Sequence, residues 1–86
     1  MERLTERAGA TYILPPERLG AAAARLGALE TLWERLLERQ AAIPGELEAL
    51  RFAGREKTVQ FRELMAEKLT NHTVLDALER AEKYAR

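Results

Sequence analysis

The sequence predicts an all-α fold: one long heptad-patterned helix over about residues 17–42, with two or three shorter helices packed on it as an antiparallel bundle that a second chain completes. Three observations carry this expectation. From Leu19 the apolar positions advance in alternating steps of three and four, through Ala22, Leu26, Leu29, Trp33, Leu36, the polar exception Gln40, and Ile43. That is the spacing of a helical seam buried along its length. Two later stretches are also amphipathic at helical spacing, with Phe61, Leu64, Met65 and Leu69 on one face and Val74, Leu75, Leu78, Ala81 and Ala85 on another. Finally, a helix over 17–42 would be roughly 39 Å long. A compact chain of this size has a diameter of about 30 Å, so the seam outruns what its own chain can cover.

The elements follow in order. Residues 1–15 read as an N-terminal arm to a single helical domain spanning 1–86. Its charged start predicts at most one helical turn up to Gly9. Tyr12, Ile13 and Leu14 then form either a short strand or an apolar arm. Leu14 is held extended by the proline that follows it. This segment lies over the chain's own core or pairs with the same segment of a second copy. Pro16 suits the first turn of a helix and Glu17 the positive end of its dipole. Leu32 and Leu37 flank the seam and widen it beyond a two-stranded stripe, so the long helix meets at least two neighbours.

Pro44-Gly45 interrupt the pattern and predict a new, short helix over 45–53, carrying Leu47, Leu50 and Phe52 and stopped by Gly54. The alternative is an α+β fold with a small hairpin near 49–61, since Phe52, Val59 and Phe61 favour strands. Thr58 is a candidate cap for the next helix. The polar run "TNHT" (70–73) predicts a break, with Asn71 or Thr73 capping the last helix.

Composition narrows function. Fourteen basic and fourteen acidic residues cancel, so net charge draws the chain to neither nucleic acid nor an anionic surface. Eleven of the basic residues are arginine, in keeping with an arginine- and alanine-rich bacterial genome. Cysteine and serine are absent and aspartate occurs once, which removes disulfides, thiolate metal sites and the commonest nucleophiles. A lone histidine, His72, four residues before Asp76, supplies too few ligands for a metal site. The carboxylates Glu63 and Glu67 share a face without sign of an enclosing pocket. No catalytic residue, cofactor site or metal site is therefore assigned, and the chain is expected not to be an enzyme. With no apolar run of membrane-spanning length and no signal-like start, the expected home is the cytoplasm.

What remains is association. Leu19, Leu26, Leu29, Trp33, Leu36 and Ile43 are the expected self-association residues of a homodimer or higher oligomer. Glu30, Glu34 and Glu38 form an acidic stripe beside them. Arg51, Arg55, Lys57 and Arg62 make the only basic-leaning stretch and are candidate contacts for another protein or for nucleic acid. An adaptor, assembly factor or accessory subunit fits this pattern. Within residues 61–84, Glu63, Leu64, Ala66, Leu69, then Thr73, Val74 and Leu78 follow a cadence that resembles the helix-turn-helix of bacterial regulators. That resemblance implies a small DNA-binding protein as the alternative. It ranks second because Asp76, Glu79 and Glu82 on the would-be recognition helix would oppose phosphates.

Overall fold

The computed structural model describes residues 1–85, Arg86 lying outside them, and is mostly helical (74%). Two helices, α1 (Leu19–Phe52) and α2 (Val59–Tyr84), pack side by side as a helical hairpin. A two-stranded antiparallel hairpin, β1 (Glu6–Ala8) and β2 (Thr11–Ile13), precedes them, and a 3₁₀ turn, Pro16–Arg18, leads into α1. The molecule is a rod of 57 × 23 × 20 Å.

Both interruptions expected in the helices are absent, so two helices form where three or four were expected. α1 continues through Pro44, although proline has no N–H to offer the carbonyl of Gln40 and crowds that turn. Packing explains its persistence. The three-four stepping of the seam does not stop at Ile43 but continues to Leu47 and Leu50. Ile43 and Leu47, on either side of the proline, are the two most deeply buried apolar side chains among the described residues. Pro44 itself is exposed, where its ring meets no neighbour's helix. Likewise "TNHT" lies mid-helix in α2 rather than in a turn. Asn71 is buried at a seam position against α1, and the Thr73 hydroxyl donates to the Leu69 carbonyl one turn back. Neither residue caps anything.

The hairpin near 49–61 does not form, because those residues end α1, turn and begin α2. The turn uses signals that were legible. Gly54 sits at φ 72°, its N–H donating to the Arg51 carbonyl and that of Arg55 to Leu50, which ties off the end of α1. Thr58 accepts from the Phe61 N–H at 3.3 Å and caps α2. The strand pair instead lies in the arm, where one helical turn was expected before Gly9. Gly9, at φ 62°, begins a two-residue turn that sets Glu6 opposite Ile13 and Ala8 opposite Thr11. The Tyr12 segment thus pairs within its own chain.

Register between the helices is fixed by a polar clamp. Arg39 holds Glu67 with two hydrogen bonds of 2.7 and 2.9 Å, and also reaches Glu46 at 3.1 Å. The Gln40 amide donates to the Lys68 carbonyl at 3.1 Å. Further along the hairpin Trp33 and Leu78 line one trough together. Gln40 Oε1 and Asn71 Nδ2 are buried without hydrogen-bond partners, a polar layer inside an otherwise apolar seam.

Candidate self-association surface

α1 has 34 residues and α2 has 26, so eight residues of α1 are left over. With the connecting turn at one end, the excess appears at the other: α2 ends about level with Gly27, and Leu19–Leu26 extend beyond it. The arm folds back over part of this overhang. Arg18 donates to the Leu4 carbonyl at 3.1 Å and Arg25 to the Glu2 carbonyl at 2.8 Å, and Leu4 and Leu14 become half-buried. Cover is incomplete. An open, mostly apolar trough of about 460 Å³ runs between arm and helix, lined by Met1, Leu4, Leu14, Ala22, Leu26 and Leu29 together with Arg3, Thr5 and Arg25. A second, of about 450 Å³, lies between α1 and the end of α2, lined by Leu26, Leu29, Glu30, Trp33, Leu78 and Glu82. The two share Leu26 and Leu29.

The six residues expected to carry self-association therefore divide. Leu19, Leu26 and Leu29 are 63%, 58% and 47% exposed. Trp33 and Leu36 are half-buried against α2 and keep an open edge. Ile43 has no exposed surface and belongs to the chain's own core, so it drops out of the surface. The reason is that α2 covers the seam from Trp33 onward, which follows only once α2 is one continuous helix. Leu32 and Leu37, expected to widen the seam, are open to water. Met1, Leu4 and Leu78 were not anticipated as lining residues. For Met1 and Leu4 the signal was weak, since a single leucine in a charged lead-in shows no periodicity; Leu78 was legible as part of a helical face but not as part of this surface.

Arg51, Arg55, Lys57 and Arg62 gather at the opposite tip of the rod, all exposed. Arg51 lies 5.3 Å from the centre of the Phe61 ring and 3.7 Å from Glu48. Phe52, beside it, is exposed. Glu30, Glu34 and Glu38 are exposed along α1, Glu30 and Glu34 flanking Trp33 and Leu37.

The chain matches no protein-family model, no curated protein and no solved structure. The helix-turn-helix cadence in 61–84 is not a helix-turn-helix in the fold, because those residues lie in one continuous helix with no turn to splay a recognition helix. Among the described residues no three His, Asp or Glu side chains are placed to share a metal ion, and no helix is long and apolar enough to cross a membrane. Glu67 has its carboxyl held below the usual glutamate range, chiefly by the hydrogen bonds from Arg39. That is the signature of a structural clamp, in which both partners are occupied with each other.

Proposed function

We propose that this chain is a non-enzymatic protein–protein association module that assembles with itself through the exposed part of the α1 seam. The observation that carries this reading is the mismatch between core and surface. Among the described residues Ile43, Leu47 and Leu75 are the apolar side chains sealed from water, while Leu19, Leu26, Leu29, Leu32 and Leu37 lie open along one helix. A small chain without disulfides has few other ways to stabilise itself than a partner subunit. Exposed leucines gathered along one helix, with Leu26 and Leu29 lining two open troughs, fit an interaction site.

In this reading the overhang end of the rod holds the oligomer together. The far tip, with Arg51, Arg55, Lys57, Arg62 and exposed Phe52, remains for a different protein, as an adaptor or accessory subunit requires. The differing character of the two ends supports the division: one exposes leucines beside the trough, the other four cations and Phe52.

The test is solution mass by light scattering at tens of micromolar. A mass near twice the 9.7 kDa chain, or a higher multiple, is expected. Replacing Leu26 by Asp should return it to a single chain. A wild-type mass of 9.7 kDa at that concentration would end the proposal.

A further inference from the structure

The geometry points to a specific assembly: two copies pair through antiparallel α1 helices about a twofold axis near Gly27–Ala28, the alanine-rich first turns of each copy seating against Trp33 of the other. This rests on the self-association reading and goes beyond it by fixing the partner, its direction and its register.

Position comes first. The part of the seam that α2 leaves uncovered is centred on Leu26 and Leu29, the residues common to both open troughs. A symmetric contact has to place this patch on its own copy. The three-four stepping then selects the alignment. Turned end for end about residues 27–28, Leu26 meets the partner's Leu29, Ala22 meets the partner's Trp33, and Leu19 meets the partner's Leu36. The largest side chain of the seam falls opposite its smallest.

The neighbouring antiparallel alignment, one heptad half-step further along, would set Ala22 and Leu19 against Gln40 and Ile43. Gln40 already donates to Lys68, and Ile43 is wholly buried within its own chain. Those residues have nothing to offer a partner. Sequence and burial thus agree on a centre near 27–28 rather than one nearer the middle of α1.

Shape and area agree as well. The stretch Gly20–Ala24 is glycine followed by four alanines, a helix of small diameter that can enter the trough bounded by Leu26, Leu29, Trp33 and Leu78. The accessible surface is 7009 Å², against about 5,100 Å² for a compact protein of this mass. The excess of about 1,900 Å² per chain is carried by the elongated rod, and it leaves room for the roughly 1,000–2,500 Å² per partner of an obligate interface. Zero net charge imposes no overall repulsion between copies.

Pulsed electron–electron distance measurement tests the arrangement directly, since a chain without cysteine takes a single spin label wherever one cysteine is introduced. Two single-cysteine variants of the 86-residue chain suffice, Ala28→Cys and Glu48→Cys, both at exposed positions. Labels at 28 should lie within about 25 Å of one another, while labels at 48 should lie about 60 Å apart, given 1.5 Å of rise per residue on each side of the axis. Short distances at both positions would mean parallel helices. Distances near 30 Å at both would mean an axis near residue 38. Either overturns this assembly while leaving self-association intact. No dipolar modulation at either position, with a single-chain mass, overturns both.

Discussion

Ile43 shows how much of this fold rests on single side chains. It is wholly buried, at the point where Arg39 and Gln40 bind α2 one turn earlier and Leu47 packs one turn later. Replacing it with alanine removes about three carbons from the densest part of the hairpin. Ile43→Ala should cost about 2–5 kcal/mol by denaturant unfolding, and a loss under 1 kcal/mol would mean that the helices do not meet there. Glu67 makes a different contribution, one that pH reveals. Its carboxyl is held below the ordinary range by Arg39, so its stabilisation is complete above the unfolded-state pKa and fades as pH falls through the lower folded value. Glu67→Gln should therefore melt below wild type at pH 7. The gap should begin to close below about pH 4.3 and vanish at still lower pH. A gap that stays constant from pH 7 to pH 2.5 would contradict the ion pair.

Among elements, α1 is the instructive one. Its seam was readable from Leu19 to Ile43 because apolar residues recur there at helical spacing, although the chain itself buries only the part from about Trp33 onward. Its continuation was not, because Pro44 and Gly45 carry strong local penalties and local signals are what a sequence displays. The packing that outweighs them, Ile43 and Leu47 against α2, depends on residues distant in sequence. The same reason hid the continuity of α2: Asn71 and Thr73 are good caps in isolation, and only contact with α1 makes Asn71 a core residue. Gly54 and Thr58 were legible because their roles are local. If Pro44 is tolerated rather than required, Pro44→Ala should stabilise the chain by up to about 3 kcal/mol. Destabilisation would show that the helix needs the proline. Gly54→Ala should cost about 1–2 kcal/mol. The cost is conformational alone, since a β-carbon there meets nothing within 4 Å. Chemical denaturation of each variant measures both effects.

At the scale of the molecule, length decides. A radius of gyration of 18.3 Å compares with about 12 Å for a compact chain of 86 residues. The chain is thus a rod long enough to hold α1 rather than a compact ball that the helix outruns; what is left uncovered follows from the shorter α2 and lies at Leu19–Leu26. The candidate surface was half legible for the same reason. Periodicity marked Leu19, Leu26 and Leu29 as apolar seam, but which part of the seam α2 would cover depended on how far α2 ran. If folding draws on the buried overhang, stability is linked to association by mass action. Thermal unfolding of the wild-type chain over a hundredfold range of concentration, from about 1 to 100 μM, is the most direct check, since the linkage is worth about 2.7 kcal/mol over that range. The midpoint should rise by several degrees as concentration increases. A midpoint that does not move, in a chain that stays folded at 1 μM, would show that the rod is stable alone with its leucines in water.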